Sequence, residues 1–238
     1  ETGWIALYPE LEALIGCPQE PRHHPEGDVW LHTLHVCDAA ARIADREDLA
    51  GDARTSLLFA ALCHDLGKPA TTTIADDGRL RSPGHEQAGV APTEALLRRI
   101  GCPRAIEGVV VPLVRTHMAH MGGHVTERVV RHLAVRLAPA TIVQWGRLVE
   151  ADHSGRPPRP PNAPGAPIVE MARQIGAATG RPVPILQGRH LIEVGMASGP
   201  QLGAILRRAY HAQIDGAFAT VGEGLAWVAQ HSADGADA

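Results

Sequence analysis

Two histidines and two aspartates occupy positions from which they could build a metal site. His32 lies within a predicted helix, the pair His64-Asp65 closes an apolar helix, and Asp152 lies near the end of another. Burying an aspartate is costly unless its charge is paired or bound to a metal. Imidazoles and carboxylates from three helices could form a mixed nitrogen and oxygen site, where a divalent ion lowers the pKa of bound water. A second interpretation stays open, in which His64-Asp65 is only a hydrogen-bonded helix end.

The elements that must position these residues are predicted to be helices. Aromatic residues make up only 3% of the chain, and its β-branched residues do not form alternating runs, so we expect an all-α fold. Capping residues and glycine or proline stops predict helices over 4–16, 29–44, 57–66, 85–100, 103–121, 125–137, 139–152, 166–179, 187–194, 199–215 and 220–231. We place the start of the third at Thr55 or Ser56 and expect a hairpin around Asp77-Gly78. Pro92 and Pro112 should kink or shorten two helices.

A proline-rich run divides the chain. The segment 156–165 contains five prolines and cannot be regular structure, so it is predicted to be a stiff linker. We therefore expect a helical bundle domain over 1–155 and a small helical tail domain over 166–238.

Composition and charge exclude several classes of protein. A net charge of −4 and a pI of about 6.4 argue against an overall basic nucleic-acid binder, although a local basic patch is possible. The sequence contains no apolar run of membrane-spanning length and no leader, and its four cysteines are widely spaced, so we expect a cytoplasmic protein that does not bind membranes. The chain starts at Glu1 rather than at a methionine, so it could be a fragment.

Two strings of residues carry a resemblance to a known family. The stretch from His24 to Leu34, HPEGDVWLHTL, and the stretch from Ala61 to Pro69, ALCHDLGKP, resemble HD-domain phosphohydrolases. More narrowly, they are similar to the HD region of bacterial CCA-adding tRNA nucleotidyltransferases. Further matching landmarks are GHE at 84–86, LVRTH at 113–117, EAD at 150–152, and the tail segments ILQGRHLI at 185–192 and GPQLG at 199–203. His190 departs from this pattern, which usually has Asp there.

The resemblance implies a fold and a set of ligands. It implies an HD-domain helical bundle in which His32, His64, Asp65 and Asp152 hold a metal. In the wider superfamily, extra histidines hold a second ion with Asp65 as the bridge, and we assign that role here to His85 and His117, with His120 and His124 as weaker candidates. The alternative is that these histidines only surround a one-metal site. Such ligands suit Ni, Mn, Co, Fe or Zn.

Three cationic or titratable residues are candidates for handling the substrate. We predict a catalytic role for Asp65 and Lys68, with Lys68, Arg156 and His24 contacting the substrate, because a lysine or arginine can meet a phosphate. Lys68 and Arg156 could instead be solvated, and His24 could simply shape, together with Glu26, the loop over the site. Seven arginines between 98 and 136, with Arg207 and Arg208 in the tail, are either a solvated surface or a track for an RNA backbone.

The function that we expect is hydrolysis of a phosphoester. By resemblance, the substrate is a nucleotide or RNA end that carries a terminal phosphate, above all a 2′,3′-cyclic or 2′-phosphate. Alternatives are a nucleotidase for free mononucleotides or dNTPs, a non-catalytic RNA-binding module, and the di-iron oxygen chemistry of a minority of HD-like proteins. The sequence has no Gly-Ser pair followed by an Asp-x-Asp motif, so we expect no nucleotidyltransferase head. It does not indicate the oligomeric state.

Overall fold

The computed structural model describes residues 3–158 and 163–231. The α-helices are α1 Pro9–Glu12, α2 Val29–Arg46, α3 Gly51–Cys63, α4 Lys68–Thr71, α5 His85–Ala88, α6 Val90–Arg99, α7 Arg104–Thr116, α8 Glu127–Leu137, α9 Ile142–Ser154, α10 Ala166–Gln174, α11 Gly188–Glu193, α12 Pro200–Asp215 and α13 Val221–His231. Short 3-10 helices cover Trp4–Leu7 and His117–Met121, and strands β1 Thr73–Ile74 and β2 Leu80–Arg81 form the expected hairpin. The prediction of an all-α fold is confirmed.

Helix α3 lies at the centre of the bundle. It packs against α2, α7 and α9, and α2 also packs against α9. Alanines at these contacts are fully buried and let the helices approach closely; they are Ala39, Ala40, Ala44, Ala60 and Ala61. On the α9 side, the indole of Trp145 is buried and its Nε1 donates to the carbonyl of Thr116, 2.9 Å away. These four helices therefore share one well-packed core. Four candidate ligands lie within them or directly after them, namely His32, His64, His117 and Asp152.

Several predicted helix boundaries were wrong. The helix expected over 4–16 is a 3-10 turn followed by α1, because Tyr8 is non-helical and Pro9 starts a new helix without an N–H to donate. Helix α3 begins at Gly51 rather than near Thr55, whose hydroxyl bonds back to the Gly51 carbonyl inside the helix.

The helix expected over 85–100 divides at Gly89. The break does not come from Pro92, which falls in the first turn of α6, where no helical N–H bond is lost.

The second half of the chain contributes to two cores. Helix α10 packs on α8 and α9 in the main core, whereas α11 to α13 enclose a smaller core of Leu186, Leu191, Ala209, Phe218 and Val228. Helix α12 joins the two, because it packs on α8. Residues 159–162 of the predicted linker lie outside the described residues, so the domain boundaries stay a prediction. Among the described helices, none is long and apolar enough to cross a membrane.

Candidate metal centre

The ends of three core helices bring the first group of candidate ligands together. Helix α2 has a fixed start, because Asp28 caps it by accepting from the Leu31 amide at 2.9 Å and also accepts from the Gly16 amide at 2.7 Å. His32 therefore lies one turn into α2 and is fully buried. His64 follows α3 directly, and Asp152 lies in the last turn of α9.

His32, His64 and Asp152 form one triad of donor atoms, which we call triad 1. The Nε2 atom of His32 is 3.1 Å from Oδ1 of Asp152, and Nε2 of His64 is 4.0 Å from the same oxygen. All three donor atoms lie within 4.8 Å of one another, and all three residues are buried.

Asp65, His85 and His117 form a second group with the same property, triad 2. Nε2 of His85 is 3.4 Å from Oδ1 of Asp65 and 3.1 Å from Nε2 of His117. The other oxygen of Asp65, Oδ2, turns toward triad 1 and lies 3.1 Å from Nε2 of His64. The Asp65 carboxylate therefore faces both triads at once.

Backbone hydrogen bonds orient three of the imidazoles of the centre. The Nδ1 atoms of His64, His85 and His117 lie 2.8, 2.8 and 2.7 Å from the backbone carbonyls three residues earlier in the chain. A carbonyl can only accept, so Nδ1 donates and the Nε2 atom of each ring is left facing the other ligands. Metal-bound histidines are oriented in this way.

Two of the buried donor atoms make no hydrogen bond in the described structure. They are Nε2 of His64 and Oδ2 of Asp65, although Nζ of Lys68 lies 2.7 Å from that oxygen and compensates its charge. Nε2 of His85 faces Nε2 of His117 at 3.1 Å. A divalent transition metal satisfies every one of these atoms, and the donor set therefore fits such an ion.

The carboxylates of the centre are held ionised. Burial raises the pKa of Asp65, but His64 and Lys68 outweigh it and hold that pKa well below its usual range. Burial likewise raises the pKa of Asp152, and there Arg156 and His32 reverse the effect. Burial, with His64 and His85 close by, lowers the pKa of His117 to about 3, so this ring is neutral and able to bind a metal.

Lys68 and Arg156 both lie at the centre, each against a carboxylate. Nζ of Lys68 is 2.7 Å from Oδ2 of Asp65 and donates to Oε1 of Gln19 at 2.5 Å. Nη2 of Arg156 donates to Oδ1 of Asp152 at 3.0 Å. Lys68 is buried and Arg156 is half-buried, so neither is a freely solvated surface cation.

Glu26 lies behind the ligands in a way that the sequence did not reveal. Its side chain is fully buried, with Oε1 2.8 Å from Nδ1 of His32 and 2.9 Å from Nδ1 of His24. The contact with His24 has the geometry of a hydrogen bond. Nδ1 of His32 is equally close to the carboxylate but does not have that geometry. The sequence placed Glu26 only in a loop over the site, and Gln19 was missed entirely, because its contact with Lys68 spans 49 residues.

A cavity of about 440 Å³ opens onto both triads. Its lining brings together most of the predicted site residues; they are His24, Asp65, Lys68, His85, His117, Asp152 and Arg156, with His120 and Ser82 beside them. His32 and His64 lie behind this lining, and His124 is not part of it. The cavity thus combines metal donors, two cations and room for a small substrate.

The basic stretch between 98 and 136 is partly neutralised. Four of its arginines pair with carboxylates: Arg98 with Glu94, Arg99 with Glu10, Arg128 with Asp215 and Arg131 with Glu127. Such pairs contribute little to stability, but they leave only three arginines of this stretch without a carboxylate partner among the described residues, Arg104, Arg115 and Arg136. The interpretation as a solvated surface is therefore favoured over that of an RNA track.

Comparison with known proteins agrees with this geometry. Residues 29–154 match the family model of the HD domain. The chain is 36% identical to the multifunctional CCA protein of Xanthomonas oryzae pv. oryzae over 220 residues, which cover 90% of this chain and 50% of that protein. It is 40% identical over 145 residues to the multifunctional CCA protein of Halorhodospira halophila, covering 60% of this chain and 30% of that relative.

The chain spans about half the length of these relatives or less. No solved structure matches it significantly. The family model, however, covers more than half of the chain and includes His32, His64, Asp65 and Asp152. This protein therefore belongs to the HD domain family, a superfamily of metal-dependent hydrolases.

Proposed function

We propose that this chain is a metal-dependent phosphohydrolase for phosphoesters of nucleotides or RNA ends, and that it prefers 2′,3′-cyclic and 2′-phosphates. The observation that carries the proposal is the arrangement of two donor triads around one carboxylate, Asp65, inside a cavity that also contains Lys68 and Arg156. When bound, divalent metals supply Lewis-acid stabilisation of phosphoryl oxygens and lower the pKa of water.

The chain's own cations are suited to the charge that develops on a phosphoryl group. Lys68 can donate to a phosphoryl oxygen from the cavity wall. Arg156, which lies beside the other carboxylate ligand, Asp152, can donate to a second phosphoryl oxygen. Both cations are held against carboxylates before any substrate arrives, so little reorganisation is required.

His24 offers a complementary contact. Because its Nδ1 donates to Glu26, Nε2 of the neutral ring is an acceptor, and His24 lines the cavity. Burial and the nearby Lys68 lower the pKa of His24 to about 4, which keeps that nitrogen unprotonated at neutral pH. A ribose hydroxyl next to the phosphate is the donor that such an acceptor would recognise.

The resemblance to the HD regions of CCA-adding enzymes supports the substrate class. Such regions are associated with 2′,3′-cyclic phosphodiesterase, 2′-nucleotidase and phosphatase activities, and relatives over most of this chain are named multifunctional CCA proteins. The alternative of a nucleotidase for 5′-mononucleotides or dNTPs uses the same centre, and only the choice of substrate separates the two.

A substrate panel tests the proposal. Purified protein is stripped with chelator, reloaded separately with Ni, Mn, Co, Fe or Zn, and assayed for phosphate or phosphomonoester release. We expect 2′,3′-cyclic and 2′-phosphorylated nucleotides to exceed 3′- and 5′-monophosphates and dNTPs. Asp65→Asn should be inactive, whereas Asp38→Asn, an exposed aspartate on α2, should match the wild type. A preference for 5′-monophosphates or dNTPs would favour the nucleotidase, and no turnover with any metal would refute the proposal.

A further inference from the structure

A second concave site lies in the tail, where no metal ligand of the centre is found. A cleft of about 650 Å³ separates the segment 181–187 from the middle of α12. Its lining comes from these two elements only, and the residues that matter for a ligand are Arg181, Leu186, Leu206, Arg207 and Tyr210. The volume is within the range of small-molecule sites, so the cleft is large enough for one mononucleotide.

The wall of this cleft is fixed in place by side chains of α12. The hydroxyl of Tyr210 donates to the carbonyl of Pro182 at 2.9 Å. Gln213 is buried and bonds the segment twice: its Nε2 donates to the Val183 carbonyl and its Oε1 accepts from the Ile185 amide, both at 2.9 Å. Because these bonds hold an irregular segment against a helix, the cleft is formed before any ligand arrives.

The formal charges in the lining of the cleft are all positive. Its lining contains no carboxylate, and it includes two arginines, Arg181 and Arg207, at its rim. Within the described residues, neither guanidinium makes a hydrogen bond or an ion pair. The neighbouring Arg208 differs, because it lies outside the lining and its Nη2 donates to the carbonyl of His231 at 3.1 Å. In a chain of net charge −4, the cleft is therefore a local concentration of positive charge.

The floor of the cleft would favour an anion that also has a flat or apolar part. It is mostly apolar and includes the ring of Tyr210, the side chains of Leu186 and Leu206, and two prolines. Inorganic phosphate would leave this surface uncovered, and poly-glutamate, an acidic peptide without aromatic residues, has no flat group to cover it. A nucleotide has both parts, because its planar base can lie on an aromatic or apolar wall while its phosphate meets arginine.

We propose that this tail cleft binds one unpaired nucleotide, with the base against Tyr210 and Leu206 and the phosphate between Arg181 and Arg207. The nucleotide can be free or part of a single RNA strand, and the recognising chemistry is the same. The inference does not rest on the proposed hydrolysis, because it uses none of the residues of the metal centre.

The test uses the full chain with Asp65→Asn and chelator present, so that the metal centre neither binds metal nor cleaves the probe. A fluorescently labelled single-stranded oligoribonucleotide is titrated with protein and followed by anisotropy, and AMP is used as competitor. We expect Arg207→Ala to weaken binding at least 10-fold and Arg207→Glu to abolish it. Arg208→Ala and Arg208→Glu make the same changes of charge one residue away and should bind like the parent.

Competition with AMP distinguishes a site for free nucleotides from a site for a nucleotide within an RNA strand. Displacement of the probe by AMP at millimolar concentration indicates a site for free nucleotides, whereas binding of the strand without displacement by AMP indicates a site for RNA. Equal losses in the Arg207 and Arg208 variants would overturn the proposal, because they would mean diffuse electrostatic attraction. Displacement by poly-glutamate as effective as by RNA would also overturn it, and circular dichroism establishes that each variant is folded.

Discussion

The cavity of the metal centre and the tail cleft are both concave and both contain two cations, but they use charge in opposite ways. In the centre, Lys68 and Arg156 are held against Asp65 and Asp152, and every charge is at least half-buried. In the cleft, the arginines are exposed and have no partner among the described residues. Buried charges must be compensated by neighbours or by a metal, whereas exposed charges remain available to a ligand from solvent.

This difference predicts how many neighbouring groups a substitution should affect. Removing one buried charge of the centre leaves its partners uncompensated, so the effect should spread through both triads. Removing one exposed arginine of the cleft should change only the affinity for an anion. We make four predictions for the metal centre that test this difference.

The largest effect is expected for Asp65→Asn. The neutral amide cannot compensate two cations, so both triads should lose metal and turnover should fall on the order of 10³-fold. Elemental analysis and a turnover assay measure the two effects. The nucleotide affinity of the tail cleft should not change, and metal retained in full by Asp65→Asn would return this residue to a structural role.

The two triads should separate when their histidines are truncated. His85→Ala and His117→Ala remove ligands from triad 2 only, so we expect the metal content to fall from two ions to one per chain. His32→Ala should remove the ion of triad 1, and His35→Ala, an exposed histidine on the same helix, is the matched control. If neither triad 2 variant lowers metal content or activity, the centre is mononuclear.

Glu26 should act through the ligand that it contacts. Its carboxylate lies 2.8 Å from Nδ1 of His32, and loss of such an outer partner commonly weakens metal binding by about 10–100-fold. Glu26→Ala should therefore lower the affinity of triad 1 and leave that of triad 2 unchanged, whereas Glu26→Gln keeps an acceptor and should recover part of the loss. Calorimetric metal titration resolves the two sites, and equal weakening of both would contradict this role.

The smallest expected effect is the dependence of the free energy of unfolding on acidic pH. The pKa of His24 is lowered to about 4 and that of His117 to about 3, whereas an unfolded histidine titrates near 6.5. Below pH 6.5 the unfolded chain therefore binds protons that the folded chain does not, and unfolding takes up protons. The free energy of unfolding of the chelated protein should fall between pH 6.5 and 4, by about 1 kcal/mol per pH unit for each histidine.

Urea unfolding at pH 7 and pH 5 measures this slope. The buried carboxylates also lose stabilisation as pH falls, so the informative quantity is the difference between the wild type and a variant. His117→Asn should show a shallower dependence on pH than the wild type, and His35→Ala should not. An unchanged slope in His117→Asn would mean that this ring is not held neutral.

The sequence was most informative where residue type and helix position coincide. A His-Asp pair at the end of an apolar helix predicted a site because burial of that aspartate needs a counter-charge, and α3 does lie at the centre of the core. The helix starts could not be predicted as well, since Pro9 and Gly51 set them by local backbone geometry that competes with periodicity.

Contacts between distant loops could not be predicted at all. Gln19 reaches Lys68 only because the loop before α2 folds over α4, and no spacing in the sequence indicates this contact. Glu26 contacts His24 and His32 nearby in the chain, but through a loop whose course no periodicity predicts. The ion pairs that neutralise the arginines of 98–136 connect elements up to 89 residues apart in the chain, so composition alone suggested more free charge than exists. The tail cleft was missed for the same reason, because its wall has no regular pattern.

A glycine beside the His64-Asp65 pair determines how closely two segments of the centre approach. A Cβ built on Gly67 would collide with the backbone carbonyl of His85 and with the amide of Gly89. The chain at Gly67 and the α5 segment therefore meet through their main chains, with no side chain between them. Any larger residue at position 67 would push these segments apart, so the distance between Asp65 and His85 depends on a side chain that is missing.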